Sequence, residues 1–78
     1  MRQSSIMLPE IRELLSSNKR EELREAMGEM HPADIADALF ELETKEQVSF
    51  ISCIDKEQML EVFNELDEYE QFELLDKL

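Results

Sequence analysis

Met30-His31-Pro32-Ala33-Asp34-Ile35-Ala36-Asp37-Ala38-Leu39-Phe40-Glu41-Leu42, with Thr44-Lys45-Glu46-Gln47 close behind, decides the fold. Proline at a first helical position gives up no needed amide, and its fixed φ suits the helix, so His31-Pro32 reads as a helix start. From there Ile35, Leu39 and Leu42 make one apolar stripe, with Ala36 and Phe40 beside it, at the spacing of a helix face. Thr44 followed three residues later by Gln47 reads as a capping box, in which side chains satisfy the orphan amides of a helix start. One helix therefore ends and another begins within a residue or two.

The same grammar extends in both directions. Asn18-Lys19-Arg20-Glu21, Asp55-Lys56-Glu57-Gln58 and Asp67-Glu68-Tyr69-Glu70 are further boxes, and a first helix is expected around Pro9 to Ser16. Leu23, Ala26, Met27 and Met30 keep helical spacing, as do Met59, Val62, Phe63 and Leu66, and then Phe72, Leu75 and Leu78. Residues 48–54 are β-branched and alternate, which also suits a strand. A lone strand would have no partner, so that segment is read as a helix. Starts at 31, 44, 55 and 67 are separated by thirteen, eleven and twelve residues, and Lys-Glu-Gln occurs at both 45–47 and 56–58. With a single Gly, at 28, the links have no slack for long hairpins. The expected fold is all-α, a right-handed superhelix of about six short helices resembling an α-solenoid. Isolated helices of about ten residues are marginal in water, so packing of the stripes must hold them.

Seventy-eight residues that are 42% apolar, with no Trp, allow one small domain with a thin core. The charge is polarised: residues 1–31 hold five Lys/Arg and six Asp/Glu, residues 32–78 three Lys and fourteen Asp/Glu, for a net -12 overall. Affinity for nucleic acid rests on cations neutralising phosphates, so that partner is disfavoured, and anionic lipid is disfavoured by the same sign. One cysteine, Cys53, cannot form an internal disulfide, and no secretory leader is read at the chain's opening. No apolar run approaches the roughly 20 residues that span a bilayer, so no membrane insertion is expected of these residues.

Little here suggests an enzyme. There is no Gly-rich phosphate loop, no Cys/His pairing at ligand spacing and no nucleophile motif. His31 is read as a helix-start residue, Cys53 and most of the five Met as core, and neither Asp55 nor Asp67 opens an EF-hand loop. The carboxylates remain. Glu57, Glu61 and Glu65 follow one another at spacing four, opposite the apolar stripe of their helix; Asp34, Asp37 and Glu41 run i, i+3, i+7 after Pro32. Such faces serve either as solvated surface or as weak divalent-cation surfaces. Magnesium suits the second reading, because it keeps several waters and takes only one or two carboxylates.

The run from Met30 to Leu42, with Leu60-Glu61-Val62-Phe63-Asn64-Glu65-Leu66 and Glu70-Gln71-Phe72-Glu73-Leu74-Leu75, resembles the cytoplasmic N-terminal domain of MgtE-type magnesium transporters from about Glu10 onward. The resemblance implies a superhelix of short helices, truncated here before its last helices, that precedes paired CBS domains and a transmembrane pore. It implies a cytoplasmic domain of a cell-membrane protein, homodimeric at full length, in which magnesium bound between this domain and the CBS domains of the same chain holds the pore closed. Glu61 matches the family's interface ligand; Glu57, Glu65, Asp34 and Asp37 are the accompanying candidates for metal. The flagellar motor switch protein FliG has similar short-helix repeats with a His-Pro start, so a helical-repeat interaction module is the alternative.

Overall fold

The computed structural model describes residues 8–78; the expectation about a leader concerns residues 1–7 and lies outside them. Six helices follow in order: α1 (Leu8–Ser16), α2 (Arg20–Gly28), α3 (Pro32–Glu41), α4 (Thr44–Ser52), α5 (Lys56–Asn64) and α6 (Glu68–Lys77). There is no strand among the described residues, and the ambiguous segment is helical through Ser52. The fold is all-α.

The helices begin at residues 8, 20, 32, 44, 56 and 68, a strict period of twelve and more regular than the cap spacings suggested. Local chemistry explains the two starts that moved. Asn18 is not an N-cap but the left-handed residue that closes α1, at φ 58, with the Lys19 amide donating to the Leu14 carbonyl at 2.9 Å. Asn tolerates that conformation better than other non-glycine residues, so Lys19 is left as the cap of α2. Thr44 lies inside α4. The cap is Glu43, whose amide donates to Glu46 Oε1 at 3.0 Å.

The remaining starts follow the expected chemistry to different degrees. His31 Nδ1 accepts from the Ala33 amide at 3.1 Å, immediately before Pro32. Asp67 and Glu70 form the full reciprocal box, at 2.8 and 3.1 Å. Asp55 caps α5 without a side-chain bond to the helix; its carboxylate lies 3.6 Å from Arg24, and its expected box partner Gln58 reaches elsewhere, its Nε2 donating to the Met27 carbonyl at the end of α2, at 2.6 Å.

Two more glutamines tie helices together. Gln47 Nε2 donates to the Leu39 carbonyl at 2.9 Å, and Gln71 Nε2 to the Phe63 carbonyl at 3.0 Å, each reaching back eight residues from its own first turn to the last turn of the preceding helix. Those carbonyls sit where a helix runs out of intrahelical donors. The clamps satisfy them and fix the sharp turn at α3–α4 and α5–α6. A bond of this kind stabilises by about 0.5–1.5 kcal/mol net.

The core is the repeat viewed from inside. Ile11, Leu23 and Ile35, at the fourth residue of α1, α2 and α3, are fully buried, and Gln47 occupies the same position in α4. In the second half of each helix the deepest residue is Met27 in α2 and Leu39 in α3, then shifts back by one position to Phe50, Val62 and Leu74 in α4, α5 and α6. The links add Met30, Leu42 and Leu66. The main packed pairs are α1 with α2, α1 with α4, α3 with α4 and α3 with α5. Polar contacts extend the same stagger: Arg12 of α1 reaches Glu46 of α4 at 3.2 Å, Arg20 of α2 reaches the Ser52 carbonyl, and Arg24 of α2 reaches Asp55 at the start of α5 at 3.6 Å. Contacts of α1 with α4 and of α3 with α5, two or three places along, beside those between neighbours, are compatible with a superhelical course.

Candidate cation-binding faces

The stagger divides the acidic residues between two clefts. Glu57 and Glu61 project from adjacent turns of α5 into an open cleft of about 260 Å3 that they share with Arg24, Gly28, Asp55 and Gln58. The geometry follows from the repeat: Asp55 and Gln58 bring the first turn of α5 against the end of α2, and the spacing of four places Glu61 one turn above Glu57. Both carboxylates are exposed. Arg24 brings a guanidinium into the same space, where its ion pair with Asp55 is exposed on both sides. An ion pair so exposed adds little to stability. Its consequence is electrostatic: the cleft already contains one cation.

Glu65 does not join Glu57 and Glu61. It is the C-cap of α5, and it lines a second cleft, of about 270 Å3, between α3 and the start of α6. There Asp37 and Glu41 on α3 face Glu65 and Glu70 over an apolar floor that includes Ala36 and Phe40. Glu70 Oε1 is committed to the Asp67 amide. Asp34 is half-buried in the first turn of α3, where a carboxylate favours the positive end of the helix, and it does not line this cleft.

The expected single edge of Glu57, Glu61 and Glu65 is thus two places, and the sequence missed both the company of Arg24 and the approach of α3 to α6. No local pattern gives either, since both depend on which helices meet. Among the described residues, no three His, Cys, Asp or Glu side chains converge as a metal-holding group. Two carboxylates on one cleft still fit magnesium's preference for few protein oxygens and many waters. His31 is spent on its cap, and Cys53 is buried in the core.

A small all-α repeat with carboxylates displayed on open clefts defines the class: a helical-repeat domain. The family model described as MgtE intracellular N domain matches residues 30–78, from the residue before His31 through all of α6. The chain belongs to this family, the domain that MgtE-type magnesium transporters carry on their intracellular side. No curated protein and no solved structure matches the chain. The family match begins after α2, although α1 and α2 keep the same twelve-residue period as the four helices inside it. No helix among the described residues is long and apolar enough to cross a membrane.

Proposed function

We propose that the chain is the magnesium-sensing regulatory domain of an MgtE-type magnesium transporter, which gates the pore by docking on CBS domains of the same polypeptide when magnesium is abundant. The observation that carries this reading is the family match, over a stretch that includes the exposed pair Glu57 and Glu61. Glu57 and Glu61 would hold the ion from this side, through water or directly, and the docked surface would supply the rest. An acidic surface brought against another repels it, and an ion held between them reverses the sign of that interaction. Because the ion is shared, it binds the docked state better than the separated one, and that difference is what lets it shift the balance.

Arg24 sets the threshold in this mechanism. Its guanidinium lies beside the two carboxylates, so magnesium must compete with a tethered cation. The domain works on the cytoplasmic side of the cell membrane in a homodimeric transporter, and it is regulatory rather than enzymatic.

Two measurements test the reading. In the full-length transporter, Glu61→Gln is expected to raise the magnesium concentration needed for closure; unchanged gating would remove Glu61 from the site. In the 78-residue chain, a magnesium titration followed by amide NMR at fixed ionic strength should give saturable shifts confined to residues 55–65 and the end of α2. Diffuse shifts that sodium reproduces would mean that the face is only solvated.

A further inference from the structure

Three clefts open at the same register of the repeat. Each takes the fifth and ninth residues of one helix and the third residue of the helix three places on: Arg12, Ser16 and Glu46 between α1 and α4; Arg24, Gly28 and Gln58 between α2 and α5; Ala36, Phe40 and Glu70 between α3 and α6. In the first two the fifth residue is an arginine that bridges the joint. Arg12 meets Glu46 at 3.2 Å, and Arg24, opposite the neutral Gln58, turns to Asp55 at 3.6 Å. In the third cleft the fifth residue is Ala36, and nothing from α3 crosses the joint as those arginines do.

The acidic half of the bridge is nevertheless in place. Glu46 and Glu70 are the third residues of α4 and α6, both half-buried, and each accepts the amide of its helix cap through Oε1, at 3.0 and 3.1 Å. Glu46 Oε1 accepts Arg12 Nε as well. No lysine or arginine among the described residues pairs with Glu70, or with Asp37, Glu41 and Glu65 around it. One molecule thus shows the same carboxylate, in the same register and on the same kind of cap, once with its guanidinium and once without. We infer that the α3–α6 cleft is a binding site for an alkylguanidinium ligand, the chemistry of an arginine side chain, which the repeat itself supplies at the other two joints.

The lining fits that ligand at both ends. Ala33, Ala36 and Phe40 offer an apolar floor for the stem, and Glu70 with Asp37, Glu41 and Glu65 offers the charge, within a cleft of about 270 Å3. Guanidinium suits it better than ammonium, because it is planar, makes paired bonds to carboxylates and stacks on an aromatic face. A metal ion would leave the apolar floor unused. The α1–α4 cleft stays open although α5 and α6 follow it, so a helix added in the same stagger does not close the α3–α6 cleft. The site is independent of the magnesium reading and takes no ligand from Glu57 or Glu61.

The test titrates the isotope-labelled 78-residue chain with N-acetylarginine amide at fixed ionic strength, followed by amide NMR. Saturable shifts are expected at residues 36–41 and 65–70. N-acetyllysine amide, which lacks the planar head, and methylguanidinium, which lacks the stem, should both bind several-fold more weakly. Glu70→Gln should weaken the arginine probe about threefold, the size of one exposed ion pair. It should keep the fold, since Gln also serves at the third position of a capping box. Ala36→Arg should fill the cleft from within, as Arg12 and Arg24 fill theirs, and abolish the shifts. Ala36 is buried, so circular dichroism should confirm that this variant folds. Where it does not, Asp37→Asn at an exposed position takes its place and should weaken binding as Glu70→Gln does. Equal binding of either control probe, shifts of the same size at residues 55–61, or binding unchanged by both substitutions would reduce the cleft to general acidic surface and overturn the assignment.

Discussion

Replacing Gln47 by Glu changes almost nothing in shape and removes the donor that ties α4 to the end of α3. Gln47 is the one buried polar side chain among the described residues, 7% exposed, and its amide meets the Leu39 carbonyl at 2.9 Å. Without it that carbonyl keeps only the Leu42 amide, at a longer 3.3 Å. An ionised carboxylate at the same place is worse than a missing donor, because it sets a buried negative charge against a carbonyl oxygen. The expected loss is about 2–4 kcal/mol at pH 7. That is a large share of the roughly 4–12 kcal/mol that a domain of this length has in total at about 0.05–0.15 kcal/mol per residue.

The cause can be separated from simple misfit by pH. Burial without a partner raises the folded-state pKa of the introduced carboxyl above its unfolded value, near 4.3. A group raised in this way is harmless below the unfolded pKa and loses stability as pH climbs through the folded one. Protonated, it can also donate to the Leu39 carbonyl. Urea unfolding of Gln47→Glu beside the parent chain should therefore show a deficit that is small near pH 4 and full by pH 7. With a slope of about 1 kcal/mol per molar urea, the deficit at pH 7 appears as a midpoint lower by about 2–4 M, or as a chain already unfolded in buffer. A deficit that stays the same at every pH would refute the reasoning, because the cost would then lie in packing and not in the lost donor.

Three further outcomes follow from the same contacts. Asp67→Ala should cost about 1 kcal/mol and Asp55→Ala clearly less, read as urea midpoints, because only Asp67 accepts an amide in its own first turn. Phe50→Ala should cost about 3–5 kcal/mol, enough to abolish cooperative unfolding, since Phe50 is the largest of the fully buried side chains. Arg24→Gln should lower the magnesium concentration that half-saturates the residue 55–65 shifts, because it removes the tethered cation from the cleft; an unchanged or weaker response would take Arg24 out of the mechanism.

The helices were legible because each start carries its own chemistry. His31-Pro32 and the Asp67–Glu70 box could be read residue by residue, and the structure has both. The errors at Asn18 and Thr44 were of one residue each and share a cause. A local box search asks which side chain can reach an amide, while the boundary is fixed by the twelve-residue packing period and by how the previous helix closes. Asn18 closes α1 in the left-handed conformation; a search for starts sees only its amide oxygen. The Asp55–Gln58 box failed for a different reason. The Met27 carbonyl, thirty-one residues back, took the glutamine instead, a competitor no window of four residues contains.

The candidate site was less legible because it depends on which helices meet. Spacing alone put Glu57, Glu61 and Glu65 in one row, and within a continuous helix that is correct. α5 ends at Asn64, however, so Glu65 belongs to the turn and faces α3, while Glu57 and Glu61 face α2. A twelve-residue repeat gives each helix barely two and a half turns before the chain changes direction, so carboxylates four apart part company whenever a boundary falls between them. The same brevity explains how the domain can be so acidic and still hold together. Arg12, Arg20 and Arg24, all in the nearly neutral N-terminal part, reach across to α4 and α5 and meet the acidic half at the joints between helices. They leave the outer faces of α5 and α6 negative. Charge polarity that looked like a composition bias in the sequence is, in the fold, a division between a half that supplies the arginines at the joints and a half that displays carboxylates.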